Sequence, residues 1–213
     1  ISRLSLKGDN FGYFAPCGYV SPQYYDDKGA GFLKSFTAGF FTTCGLTAVG
    51  NPCTDAGEEL PLHGTISNTP CENFCHFVAD DGIHIKATIR DGRMFSHKLI
   101  LEREYIISLE KNEISLIDKV KNIGSAQSPL EILYHCNMGY PLLSENAEIT
   151  IPSTKNGHFI KLFVAPTYFI IDISFLLECT VNFIVFEIIA VDIITSNINS
   201  PAVTTLTPFA KLI

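Results

Sequence analysis

The side chains in this sequence best able to move protons near neutral pH are its six histidines, because imidazole is the group whose ordinary pKa, about 6.5, lies in that range. Their neighbours sort them. His76, His84 and His97 fall in stretches of alternating polar and apolar residues and read as surface or strand-pairing imidazoles. His158 follows Asn156-Gly157, a turn signature. His63 differs, closing the apolar run Leu60-Pro-Leu-His-Gly64 ahead of the polar Thr65-Ile-Ser-Asn68. Its ring can sit at the mouth of a sheet, with Gly64 leaving room for a ligand. His135 lies in the mostly apolar Leu130-Glu-Ile-Leu-Tyr-His-Cys-Asn137. A buried imidazole is costly unless it is hydrogen-bonded, so the plain reading of both is a satisfied core histidine. The chemical reading is a neutral proton donor or acceptor.

The elements that must position these rings are strands. Residues 1–64 are broken so often by Gly and Pro that no long helix fits, and Gly39-Phe-Phe-Thr-Thr-Cys-Gly45 is the best strand candidate among them. The middle reads as a meander: Phe74 to Ala79, Ile83 to Arg90, Lys98 to Arg103, Glu104 to Leu109 and Glu113 to Asn122. Asp80-Asp81-Gly82 and Asp91-Gly92 are expected to be its turns. Period-two alternation predicts an antiparallel sheet with one buried side, its acids and bases interleaved on the outer face. After the Gly124-Ser-Ala-Gln-Ser-Pro129 turn, the Leu130–Asn137 strand ends at Gly139 and Pro141, which puts His135 and Asn137 on one face near its terminus.

Composition narrows the function classes. With 15 basic against 22 acidic residues the net charge is −7, the wrong sign for a nucleic-acid partner. Hydrophobic residues make up 46% of the chain and charged ones 17%, enough apolar mass for a core. The apolar stretch Phe169 to Ile194 is interrupted by Asp172, Glu178, Glu187 and Asp192, too often for a spanning helix of about 20 residues. Buried strands, and no membrane partner, are expected there. Seven cysteines with no CxxC pair and no signal peptide read as reduced thiols in a cytoplasm. Cys71-Glu-Asn-Phe-Cys75-His76 has no second Cys/His pair at zinc spacing, so neither a metal nor another cofactor is expected.

Three segments taken in order resemble one family. These are Phe41-Thr-Thr-Cys-Gly-Leu-Thr-Ala-Val-Gly-Asn-Pro52, Leu62-His-Gly-Thr-Ile-Ser-Asn68 and Leu133-Tyr-His-Cys-Asn-Met-Gly-Tyr-Pro-Leu-Leu-Ser-Glu145. Together they are similar to the aldose 1-epimerase, or galactose mutarotase-like, superfamily, and more narrowly to its DUF4432 branch. The resemblance implies an all-β fold, an antiparallel β-supersandwich with a sugar cleft on its concave side. It covers residues 1–157 of one domain spanning 1–213, with 158–213 divergent. Members are longer, so part of the supersandwich is expected here.

The implied activity is interconversion of the α and β anomers of a free sugar. A proton reaches the ring oxygen and another leaves the anomeric hydroxyl as the ring opens; reclosure on the other face of the aldehyde reverses both. No metal or cofactor is needed, and each acid or base contributes on the order of 10²–10⁴ in rate. The resemblance makes His135 the acid and His63 the group polarising the ring-oxygen region. Asn68, Asn137 and Tyr140 become candidate sugar-hydroxyl partners, the asparagines also fitting turn or strand-end capping. The family's base is a late-strand carboxylate, for which Glu187 and Asp192 are the candidates. A non-catalytic carbohydrate-binding or degenerate member of the same fold is the alternative.

Overall fold

The computed structural model describes residues 1–144 throughout and, beyond them, the backbone of the strands Glu148–Thr150, Ile160–Ala165, Tyr168–Ile173, Glu178–Thr180 and Val185–Ile194. His158 lies outside the described residues. The chain is all-β: besides strands the described residues form only the short 3-10 turns Pro22–Tyr24, Gly31–Lys34 and Ile66–Asn68. None of their helices is long and apolar enough to cross a membrane, and the described parts of Phe169 to Ile194 are strand, as the Ile, Val and Phe content predicts. Two compact units divide the chain. One comprises residues 1–68, 131–147 and 156–174, the other residues 69–130, 148–155 and 175–213.

The second unit contains the meander. Strands Cys71–Ala79, Gly82–Gly92, Lys98–Ile107 and Glu113–Asn122 pair antiparallel in chain order, and Val185–Ile194 lies parallel beside the last. Leu101 stands opposite Ile89 and Val120, so the apolar positions of neighbouring strands share a face, on which Leu99, Leu101, Leu116 and Val120 are buried. Charges of both signs occupy the other face, where Lys86 meets Glu104 at 3.1 Å and Lys121 meets Glu102 at 2.5 Å. Exposed pairs of this kind contribute about 0–1 kcal/mol each. The first strand, Cys71–Ala79, is solvent-exposed along all but its last residue and leaves Phe74, Phe77 and Val78 uncovered.

Three expectations for this sheet are corrected. Lys98 to Arg103 and Glu104 to Leu109 are one strand, Lys98–Ile107, because its alternation runs unbroken past Arg103 against both neighbours. Asp91-Gly92 does not turn the chain. These residues remain paired with Leu99 and Lys98, and the reversal occurs over 93–97, where Arg93 N–H donates to His97 O at 3.1 Å. Asp91 is instead buried, its carboxylate 3.4 Å from His97 Nε2. Nor are all acids and bases outside: Asp118 is fully buried on the apolar face, where Arg103 grips it through Nε at 2.7 Å and Nη2 at 2.5 Å.

His84, also buried, is held between Glu104 at 2.6 Å and Asp81 at 2.8 Å, with the Phe77 ring stacked on it at 4.7 Å. The Glu104 hydrogen bond, then the Asp81 one, raises its pKa above the ordinary value. A raised pKa stabilises the fold below about pH 6.5, and that contribution is lost as pH rises through the folded-state value. Thermal melts at rising pH should therefore show a fall in Tm that is smaller in His84→Gln than in the parent. Equal falls would disprove the linkage.

In the first unit, Phe41–Leu46 pairs antiparallel with Glu131–Cys136, and Tyr168–Ile173 and Ile160–Ala165 extend the sheet beyond it. The register puts Cys44 opposite Leu133 and Thr42 opposite His135, so all four face one way. Phe32 packs on Cys44 and Leu133, joined by Tyr25, Phe36, Val49 and Leu62. On the reverse face Phe41 and Tyr134 stack at 5.7 Å. His135 thus emerges beside an aromatic and aliphatic core.

Candidate active site

His63 reaches this core from a loop clamped by glycines. Gly64 N–H closes a tight turn on Pro61 O at 3.1 Å, and both His63 (φ 58°) and Gly64 (φ 70°) are left-handed. Glycine is required at 64 on two counts, because a Cβ there would also run into the carbonyl oxygens of Gly45 and Ala48. The closeness lets Gly45 N–H donate to His63 O at 2.9 Å, while Thr65 N–H donates to Gly45 O at 3.0 Å. Tyr25 Oη adds a bond to Gly64 O at 2.9 Å.

The two histidine rings then meet. Their centroids are 5.6 Å apart and their planes cross at 83°. Phe32 stands edge-on to His63 at 5.5 Å, Phe36 edge-on to His135 at 5.1 Å, and the two phenyl rings stack at 4.8 Å. Four rings therefore form one packed cluster, each imidazole backed by a phenylalanine.

His135 is 2% exposed, and its Nδ1 is buried without a hydrogen-bond partner among the described residues. Burial, with the neighbouring His63 second, pushes its pKa down to about 4. The Asn137 carboxamide opposes the shift but does not hydrogen-bond Nδ1. Since the unfolded chain takes this proton near pH 6.5, the stability tied to a neutral His135 is complete above about 6.5 and falls as pH drops towards about 4. The loss amounts to about 3 kcal/mol. Urea unfolding at pH 7 and pH 4.5 should show a steeper acid loss in the parent than in His135→Asn; parallel losses would refute the shift.

The other candidates are placed as follows. Asn137 is buried at the strand end: its N–H donates to Phe40 O at 3.0 Å, its C=O accepts from Tyr13 N–H at 2.8 Å, and Nδ2 donates to His135 O at 3.1 Å. That is a capping role which anchors the His135 backbone. Asn68 ends the Ile66–Asn68 turn, with Ser35 Oγ donating to Oδ1 at 3.1 Å and Nδ2 donating to Ser67 Oγ at 3.2 Å. Tyr140 is 80% exposed. Glu187 and Asp192 are on Val185–Ile194, in the other unit, at register positions opposite Ser115 and Lys119; their side chains lie outside the described residues. Sequence reasoning missed Phe32 and Phe36. Their four-residue spacing across the Gly31–Lys34 turn was the available signal.

The all-β fold agrees with what the chain is similar to. A crystal structure described as a "putative aldose 1-epimerase" from Klebsiella pneumoniae matches it with a TM-score of 0.64 and 28% identity. The match covers 70% of this chain and 41% of that one, so the chain spans about two-fifths of that protein's length. No curated protein matches. The model of the domain of unknown function DUF4432 matches residues 1–160, a span that takes in both histidines and every motif around them, and the chain belongs to the DUF4432 family.

Proposed function

We propose that the chain carries the histidine pair of an aldose 1-epimerase-like isomerase that interconverts the anomers of a free sugar. The observation supporting this most is the meeting of His63 and His135, which come from separate motifs and stand ring to ring at 5.6 Å on an apolar floor. Two imidazoles at that distance can address neighbouring oxygens of one small molecule. One donates a proton to the ring oxygen as the bond from that oxygen to the anomeric carbon breaks. The anomeric hydroxyl loses its proton to a base as the aldehyde forms. Rotation and reclosure return both protons, so no net acid, base or oxidant is consumed. Phe36 supplies an apolar ring beside His135 against which C–H groups of a sugar can rest. We also place the protein in the cytoplasm, a reading supported by the free thiols at Cys17, Cys53, Cys71 and Cys75.

A carbohydrate-binding module without catalysis is the second reading. It is favoured by the burial of His135, which is 2% exposed and leaves little of the ring open to a substrate. Exchange NMR or polarimetry on a panel of free hexoses and pentoses separates the two. Anomer exchange faster than in buffer for at least one sugar supports the isomerase. Buffer-level rates throughout, with a sugar-induced rise in Tm, support the module.

A further inference from the structure

The segment Cys44-Gly-Leu-Thr-Ala-Val-Gly50 contributes no side chain to the proton chemistry, yet its backbone grips His63 at both ends. At one end Gly45 and Gly64 form a parallel bridge. At the other, His63 N–H donates to Gly50 O at 3.0 Å while Gly50 N–H donates back to His63 Nδ1 at 3.2 Å. This reciprocal pair ties the main chain and the ring of His63 to one residue, Gly50.

We infer that Gly50 is a positioning residue whose peptide N–H fixes His63 as the Nε2–H tautomer and sets the orientation of its ring beside His135. A peptide N–H can only donate, so Nδ1 must present its lone pair, and a neutral imidazole then carries its single proton on Nε2. Turning the ring over would break the bond and face Gly50 N–H with a carbon. Gly50 itself has φ 89°, and a Cβ there would meet nothing within 4 Å. Its backbone conformation, rather than crowding, calls for glycine. For the proposed reaction, on which this consequence rests, His63 starts each cycle as a donor through Nε2. The proton leaving the anomeric hydroxyl must go to another group. The motif around Gly50 thereby gains a chemical purpose that its apolar composition does not announce.

The test is the imidazole 15N spectrum of the full chain at pH 7, recorded as a long-range proton–nitrogen correlation with His63 assigned through His63→Asn. A single Nε2–H pattern is expected, and an Nδ1–H pattern or an averaged mixture would overturn the assignment. Gly50→Ala keeps the N–H but strains the backbone at φ 89°, and a folded Gly50→Ala chain should keep the pattern. Gly50→Pro removes the N–H and, with φ fixed at about −65°, also the Gly50 backbone geometry that holds His63, so in a folded chain it should average the two tautomers and slow mutarotation about tenfold or more. A folded Gly50→Pro chain that retains the Nε2–H pattern would also overturn the inference; if that variant does not fold, the parent spectrum decides. Absence of mutarotation in a parent with the Nε2–H pattern defeats the isomerase reading and leaves the positioning role intact.

Discussion

His135→Asn is expected to reduce mutarotation of the accepted sugar by 10²-fold or more, the usual worth of a proton-transferring group. Asparagine keeps a polar, planar side chain of nearly the same reach but has no nitrogen that exchanges a proton near neutral pH. The variant should fold. His135 Nδ1 has no partner among the described residues, so no donor or acceptor is orphaned there, and Asn137 Nδ2 bonds the backbone oxygen, which every residue retains. Loss of rate in a chain with an unchanged melting profile would support the catalytic role. A rate within a few-fold of the parent would remove His135 from the chemistry and, with sugar affinity preserved, leave the binding module.

The largest stability effect is expected at Arg103. Asp118 is fully buried on an apolar sheet face and its carboxylate is satisfied by the Arg103 guanidinium, whose Nη1 also donates to Tyr105 Oη at 3.2 Å. Arg103→Leu leaves that charge without its counter-ion and should cost about 3–5 kcal/mol, a large share of a typical 5–15 kcal/mol. Arg103→Leu with Asp118→Leu removes both charges and should recover most of the loss, since buried pairs contribute little beyond hydrophobic replacements of similar size. Urea unfolding of the parent and both variants checks this. A single-variant cost under 1 kcal/mol would mean that Asp118 is effectively hydrated.

The same pair shows where sequence reading stops. Alternation in Glu113–Asn122 correctly predicts a half-buried strand, but an Asp at an inward position looks like any strand charge until the cross-strand partner is known. Asp118 sits opposite Arg103 through a pairing register, a non-local fact. Asp91-Gly92 was misleading for a related reason. Its local turn chemistry is outweighed by pairing that continues to Gly92, with buried Asp91 engaged by His97. His63 and His135 could be singled out because ordered motifs carry them, and the structure brings their rings together. Gly64 could be read as room beside His63, yet the space is filled by Gly45 and Ala48 carbonyls rather than left for a ligand. Phe32 and Phe36 were hidden because the histidines they back, His63 and His135, lie far along the sequence.

Order of assembly follows from the sheet of the first unit. Every hairpin of the meander joins strands adjacent in sequence, whereas Phe41–Leu46 finds Glu131–Cys136 only across the whole of residues 47–130. Closing so long a loop carries an entropic cost before any contact is returned, and high contact order slows folding. The meander should nucleate early and shorten the effective loop. His63 and His135 can meet only after the polypeptide has been made through His135, so a nascent or clipped chain that ends before Glu131–Cys136 can form the meander hairpins without that pair.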